Sequence, residues 1–149
     1  MMKEALFNLI RKRHIKIYIY TEEIFERRCQ EEIIRSDEEH SSFVYIEFDF
    51  DDIRAKLGSD ELNSSFWDVV ISTISKSNRG SDIVGFLEKE SGIGLLLLDS
   101  KEEGWKRVKG RILQTAKENN ISGIQDVLDA IIKPIVYPAC IQDIAQVSP

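Results

Sequence analysis

The chain has 149 residues, 42% of them hydrophobic and 31% charged, and a formal net charge of −6 at pH 7. This length and composition fit one soluble globular domain with a real hydrophobic core, and the acidic balance excludes a general electrostatic surface for nucleic acid. No apolar run is long enough to cross a bilayer, and residues 1–14 lack the apolar core of a signal peptide, so we expect a cytoplasmic protein without membrane insertion.

The two cysteines, Cys29 and Cys140, are far apart in the sequence and form no metal-binding spacing. A structural disulfide is one alternative, but two reduced, buried thiols are favoured in a cytosolic protein. The two histidines, His14 and His40, lie in polar surroundings without triad-like context. These residue types therefore give no signal for a metal ion or for nucleophilic catalysis.

The first twenty residues are predicted to form a helix and an extended segment. Apolar residues recur at helical spacing in residues 2–13, and isoleucines alternate with lysine and tyrosines from Ile15 to Tyr20. This alternation predicts a strand or an extended edge. We therefore divide the chain into residues 1–20, the N-terminal helix and extended segment, and residues 21–149, a single globular domain.

A second helix is predicted to begin after Thr21, which suits an N-cap and is followed by two glutamates in the first turn. Its predicted buried stripe consists of Ile24, Phe25, Cys29, Ile33 and Ile34. The polar residues 36–42 then predict a loop before the next strand.

Residues 43–50 (FVYIEFDF) predict a strand, and an acidic cluster of Asp49, Asp51 and Asp52 marks its C-terminal end. For this cluster a solvated loop is favoured over a metal site. Apolar residues at helical spacing then predict a helix over residues 60–75.

The centre of the chain is predicted to be a β-hairpin. Residues 83–87 read as its first strand, and Glu88–Gly92 is a polar turn that contains a glycine. The continuous apolar run Leu95–Leu98 is typical of a strand that is buried on both faces. Ser100 and Glu103 have the spacing of a capping box at the start of the next helix.

The last elements predicted are a short helix over residues 124–131 and a strand over residues 135–141, in which Pro138 requires an edge position or a bulge. Strands that alternate with helices and include one hairpin predict an α/β fold. In detail, we expect an α+β sandwich with a central mixed, mostly antiparallel sheet flanked by helices.

At three places the chain resembles GGDEF domains, the diguanylate cyclase family, in a degenerate form. Phe25 matches the last residue of the family's Asn-Arg-Arg-x-Phe segment, and Asp49–Arg54 (DFDDIR) falls on its Asp-x-Asp-x-Phe-Lys pattern. Glu88–Ser91 (EKES) replaces the Gly-Gly-Asp/Glu-Glu signature at the turn of the predicted hairpin. The resemblance covers roughly residues 21–113 and implies the nucleotidyl cyclase-like fold of that family.

The resemblance also implies where a cyclase would hold Mg²⁺ and why this chain should not turn over. The family's metal ligands correspond to Asp49 and Glu90, with Phe50 beside the first. Glu88 and Lys89 stand where the family has two glycines that let its backbone approach the phosphates. We therefore expect vestigial carboxylates, no catalytic residue, no metal and no cofactor, with Mg²⁺ needed only by a cyclase.

One further site of the family keeps its spacing in this chain. Arg79–Asp82 (RGSD) matches the inhibitory Arg-x-x-Asp motif, and five residues separate it from the turn. Arg111 falls where a second arginine reaches the ligand in the family, which at this site is cyclic di-GMP. Guanidinium groups suit phosphate and the guanine edge, and a carboxylate accepts from guanine N–H groups. The resemblance thus implies a cyclic di-GMP site at Arg79, Asp82 and Arg111.

Three functions stay open at this point. The first is a cyclic di-GMP receptor that regulates an unidentified partner protein, with a homodimer as one form of the bound state. The second is a ligand-free interaction or scaffold domain of bacterial signalling, since similar degenerate domains accompany exopolysaccharide machinery. The third is a divergent nucleotidyl cyclase that uses Asp49 and Glu90. Nucleic acid is an expected partner in none of them.

Overall fold

The computed structural model describes residues 2–77 and 82–138 and contains, within these ranges, six α-helices and a four-stranded sheet. The first half of the chain forms α1 (Met2–Lys12), α2 (Glu22–Glu39), β1 (Phe43–Asp49), α3 (Phe50–Leu57) and α4 (Asp60–Ser77). The second half forms β2 (Ile83–Phe86), a 3₁₀ turn (Glu88–Glu90), β3 (Gly92–Leu98), α5 (Glu102–Glu118), α6 (Ile124–Ala130) and β4 (Ile135–Tyr137).

The sheet has the strand order β2-β3-β1-β4, and each neighbouring pair of strands is antiparallel. β2 and β3 form the predicted hairpin, in which Gly85 lies opposite Gly94. One isolated parallel bridge joins Tyr20 to Gly85 at the β2 edge. The predicted α+β class, with a mostly antiparallel sheet flanked by helices, is therefore confirmed.

The residues of β3 alternate between two apolar clusters on opposite faces of the sheet. Ile93, Leu95 and Leu97 join a larger cluster with side chains of α1 and α3–α6, whereas Leu96 and Leu98 join a smaller cluster with Phe25 of α2. Every residue of β3 is buried, as expected for a strand that is covered on both faces. The sheet therefore carries α2 on one face and the other helices on the opposite face.

Residues 15–20 are extended, but they do not form a strand. Their burial alternates as predicted, with isoleucines partly buried against the larger cluster and exposed residues between them. Of these residues Tyr20 pairs with the sheet: its N–H donates to the Val84 carbonyl (2.8 Å) and its carbonyl accepts from the Phe86 N–H (3.0 Å). The segment thus reaches the sheet edge at its last residue and otherwise packs its isoleucines against the larger cluster.

Helix α2 begins at the predicted N-cap, where the Thr21 hydroxyl accepts from the Ile24 N–H (3.5 Å). The predicted stripe is wrong at Ile24, Ile33 and Ile34, which are 42%, 39% and 56% exposed. The buried side chains of α2 are Phe25, Glu32 and Ser36.

Polar contacts explain how α2 buries this face and why it continues into the predicted loop. Arg35 pairs with Glu32 (2.8 Å), so the glutamate keeps a countercharge at 4% exposure. The Ser36 hydroxyl donates to the Ser41 carbonyl at the end of the helix. Because these contacts satisfy the polar groups, the loop predicted over residues 36–42 is mostly helical.

Two further helix boundaries differ from the prediction. The acidic residues after β1 form the first turn of α3 rather than a solvated loop. Helix α5 has Lys101 at its N-cap position, one residue later than the predicted capping box at Ser100 implies.

The described part of the chain ends at the edge of the sheet. β4 pairs with β1 over three residues, and Pro138 follows at once, which agrees with the predicted edge position. The remainder of the strand predicted over residues 135–141, including Cys140, lies outside the described residues. Within residues 2–77 and 82–138, none of the helices has the length and apolar character needed to cross a membrane.

Candidate functional site

The end of β1 and the turn of the β2–β3 hairpin lie side by side at one end of the sheet, where its strands stop. Asp49 is paired in register with Gly92, and the Phe50 N–H donates to the Ser91 carbonyl (2.9 Å). A Cβ at Gly92 would lie 2.2 Å from the Phe48 carbonyl oxygen, so this approach requires glycine. The structure therefore brings Asp49 close to the turn that carries Glu90.

Asp49 has a structural role at this end of the sheet. Its carboxylate accepts a hydrogen bond from the Asp52 N–H (2.9 Å) and thereby caps the N-terminus of α3. Asp51 and Asp52 lie exposed in the first turn of that helix, where negative charge is favourable. The acidic cluster that follows β1 is thus accounted for by the start of α3.

The hairpin turn has an unusual backbone for its sequence. Lys89 has φ 55° and ψ 24°, and Glu90 has φ 55°, so both adopt the left-handed conformation. This conformation costs a residue with a Cβ about 1–2 kcal/mol, whereas glycine adopts it freely. Lys89 therefore has the backbone conformation of a glycine, and it stands where the family signature has one.

Two side chains from distant parts of the chain hold this turn. The Glu22 carboxylate, in the first turn of α2, accepts from the Lys89 backbone N–H (3.0 Å). The Lys3 ammonium of α1 pairs with the Glu90 carboxylate and lies 5.0 Å from the centre of the Phe86 ring. Both the exposed N–H of Lys89 and the carboxylate of Glu90 are thus engaged within the protein.

Beside the turn, α2 and the hairpin enclose a pocket of about 380 Å³ that is rich in carboxylates. Its acidic lining residues are Glu22, Glu26, Glu47 and Glu88. Burial, with a smaller contribution from Glu26, raises the pKa of the Cys29 thiol in this pocket to about 11. Burial and a hydrogen bond to Glu47 also raise the pKa of Tyr45. This pocket repels anions.

The structure describes two of the three residues that are predicted to bind cyclic di-GMP. Asp82 lies half-buried immediately before β2, and Arg111 is exposed on α5. Arg79 lies outside the described residues. Of the other basic residues on α5, Lys106 pairs with Glu102 (3.6 Å) and Lys109 pairs with Asp129. These ion pairs reduce the positive potential that the basic residues of α5 offer to an anion.

The contacts of Lys3 and Glu22 with the turn could not be found by sequence reasoning. Each joins residues that are more than sixty positions apart, with no shared motif or spacing. Phe25 packs on Gly85 and Gly94, which leave room for its ring on two neighbouring strands. These two glycines are the sequence feature that could have indicated this packing.

Solved structures of GGDEF-type proteins share this fold. A DGC (diguanylate cyclase) protein from Thermotoga maritima gives a TM-score of 0.57 at 15% identity, over 87% of this chain and 89% of that one. Two structures of the GGDEF domain of TpbB, also called YfiN, from Pseudomonas aeruginosa give TM-scores of 0.52 and 0.51 at 17% and 20% identity. They cover 80% of this chain, which in turn covers 72% and 77% of theirs. No protein-family model and no curated protein sequence matches the chain.

The chain therefore has the fold of a GGDEF domain, the diguanylate cyclase-type fold that its motifs resemble. At identities of 15–20% this likeness concerns the fold, and function has to be argued from the residues of the site.

Proposed function

We propose that this protein is a non-catalytic GGDEF-type signalling domain that binds cyclic di-GMP through Arg79, Asp82 and Arg111 and thereby regulates a partner protein. The observation that carries the proposal is that contacts within the chain occupy the hairpin turn. Its N–H at Lys89 and its carboxylate at Glu90 are both engaged by the chain's own side chains. The Arg-x-x-Asp spacing ahead of that turn is nevertheless intact.

The surroundings of the turn support the absence of catalysis. Glu22 occupies the Lys89 N–H, a donor that a phosphate oxygen would need, and Glu88 adds negative charge to the same pocket. Phosphoryl transfer depends on positioning and on neutralising the charge of the phosphates. A pocket lined by four carboxylates therefore disfavours a nucleoside triphosphate.

The residue types of the Arg-x-x-Asp motif and of Arg111 suit an anion with guanine bases. Asp82 stands at the start of β2, and Arg111 presents an exposed guanidinium on α5. A guanidinium binds a phosphate with two parallel hydrogen bonds, and a carboxylate accepts from the Watson–Crick edge of guanine. Cyclic di-GMP carries both groups, which is why we propose it as the ligand.

The first prediction concerns turnover. Purified protein incubated with GTP and Mg²⁺ should form no cyclic dinucleotide, because the turn offers no free N–H at Lys89 and the pocket is acidic. Product is measured by liquid chromatography, with an active diguanylate cyclase as the positive control. Product formation that disappears in the Asp49→Ala variant would show a working cyclase and contradict the absence of catalysis.

The second prediction concerns the arginine of α5. Arg111→Ala should weaken cyclic di-GMP binding about tenfold or more, because a charge-assisted hydrogen bond contributes about 1.5–3 kcal/mol. Arg107→Ala is the matched control, since Arg107 is also exposed and lies one helical turn away. Affinities are measured by equilibrium dialysis, and thermal melting checks that both variants fold. Equal losses in the two variants would indicate binding by general charge and reject Arg111 as a ligand.

A further inference from the structure

Helix α2 forms the outer layer of the domain on one side of the sheet. Among the described residues it is the one helix on that side, because the other helices pack on the opposite face. Its solvent side carries Ile24 and Ile34, which are 42% and 56% exposed. Single exposed isoleucines are common on protein surfaces, so the residues that lie between these two decide what the surface can bind.

One exposed stripe of α2 has a symmetric pattern. It runs from Ile24 through Arg27 and Glu31 to Ile34, at intervals of three, four and three residues, and all four residues are exposed. These intervals are those of the contact positions in a pair of packed helices. Because the pattern reads the same in both directions, an antiparallel second copy places Ile34 against Ile24. It also places Glu31 of one copy against Arg27 of the other.

The charges of the stripe favour this orientation. An antiparallel pair brings the guanidinium of Arg27 to the carboxylate of Glu31, whereas a parallel pair aligns arginine with arginine and glutamate with glutamate. The two side chains are 63% and 51% exposed, and their ion-pair partners, Glu23 and Arg28, belong to the same helix. Such surface pairs within a helix contribute little to stability, so both side chains are available to a second copy.

We propose that α2 is the interface of a homodimer, in which two copies of the helix pack antiparallel across a twofold axis. Ile24 of each copy contacts Ile34 of the other at the two ends of the interface. Arg27 of each copy pairs with Glu31 of the other at its centre. The interface is isologous, because both copies contribute the same patch. It needs no nucleotide, and it does not depend on the proposed cyclic di-GMP site.

The proposed interface is small. A pair of 18-residue helices buries less surface than the roughly 1,200–2,000 Å² of a standard stable interface. At the rim, Glu23 of one copy lies on the same side as Asp37 of the other, and these like charges weaken the pair. We therefore expect a transient dimer with a dissociation constant on the order of 100 μM.

Sedimentation equilibrium of the unmodified protein without nucleotide tests the dimer first. The average mass should rise from nearly that of the monomer at about 10 μM to mostly that of the dimer at about 1 mM. A monomer mass over this whole range would overturn the proposal, whatever other molecule contacts α2. A dimer that forms only after cyclic di-GMP is added would also overturn it, because that interface depends on the ligand.

Charge reversal tests the centre of the interface. Arg27→Glu and Glu31→Arg should each weaken the dimer about tenfold or more, because like charges then face each other twice. The double variant Arg27→Glu/Glu31→Arg restores both ion pairs and should dimerise again. Arg107→Glu on α5 is the matched control, since Arg107 is exposed and also has a glutamate four residues before it. Thermal melting checks that every variant folds. Single variants that dimerise like the control, or a double variant that stays monomeric, would overturn the proposal.

Disulfide cross-linking tests the register of the two helices. In a background of Cys29→Ala and Cys140→Ala, Ile24→Cys mixed with Ile34→Cys should form a covalent dimer at about 1 mM under oxidation. Either variant alone should not, because its two thiols then lie ten residues apart along the helix pair, about 15 Å at the rise of an α-helix. A mixture that does not cross-link, or a variant that cross-links equally well alone, would show a different packing and overturn the proposal.

Discussion

At the scale of single residues, the packing of Phe25 on the sheet connects the sequence resemblance with the fold. A Cβ at Gly85 or Gly94 would lie 2.3 or 2.4 Å from the Phe25 ring, so the ring rests directly on the backbone of two strands. Phe25 is 3% exposed and stacks on Tyr45, with ring centroids 6.3 Å apart. Phe25 is the residue of the family's Asn-Arg-Arg-x-Phe segment that this chain keeps. It therefore holds α2 on the sheet.

Gly94→Ala should destabilise the protein, because its methyl group would force Phe25 off the sheet. We expect a loss of about 1–3 kcal/mol in the free energy of unfolding, the usual cost of overpacking a core. Gly110→Ala is the control, since a Cβ there meets nothing within 4 Å and helix propensity predicts a gain of about 0.5–1 kcal/mol. Denaturant titration measures both, and a neutral Gly94→Ala would contradict the packing of Phe25.

At the scale of elements, hydrophobic periodicity predicted the helices and strands whose apolar residues are regularly spaced. It found the hairpin and the helix over residues 60–75, while the residue type of Thr21 indicated the N-cap of α2. It failed on α2. There the ion pair with Arg35 allows Glu32 to be buried, and three isoleucines of the predicted stripe are exposed. It also missed α3, because acidic residues that suit a loop equally suit the first turn of a helix.

The capping role of Asp49 gives a prediction at this scale. Asp49→Ala should lower the free energy of unfolding by about 1 kcal/mol, since the Asp52 N–H loses its acceptor. Asp49→Asn should cost only a few tenths, because asparagine is an equally good N-cap. Chemical denaturation of the two variants measures the difference. Equal losses would mean that the negative charge of Asp49, and not its capping hydrogen bond, stabilises the start of α3.

At the scale of the whole molecule, the sequence predicted the fold more completely than the site. Alternating strands and helices with one hairpin defined the α+β architecture, and the structure confirms it. The contacts of Lys3 and Glu22 with the turn depend on how α1 and α2 pack on the finished sheet. No local pattern encodes such long-range contacts, so the sequence showed a turn that lacks its glycines but not the side chains that engage it.

Calorimetric titration of the unmodified protein tests most directly the proposal that this GGDEF-type fold is a receptor for cyclic di-GMP rather than an enzyme. We predict binding with a dissociation constant of about 1 μM or tighter, which is about −8 kcal/mol, and loss of that binding in Arg79→Ala. GTP with Mg²⁺, titrated in parallel, should give no binding heat, because the pocket beside the turn is acidic. Absence of binding by cyclic di-GMP, or unchanged affinity in Arg79→Ala, would contradict the proposed receptor site.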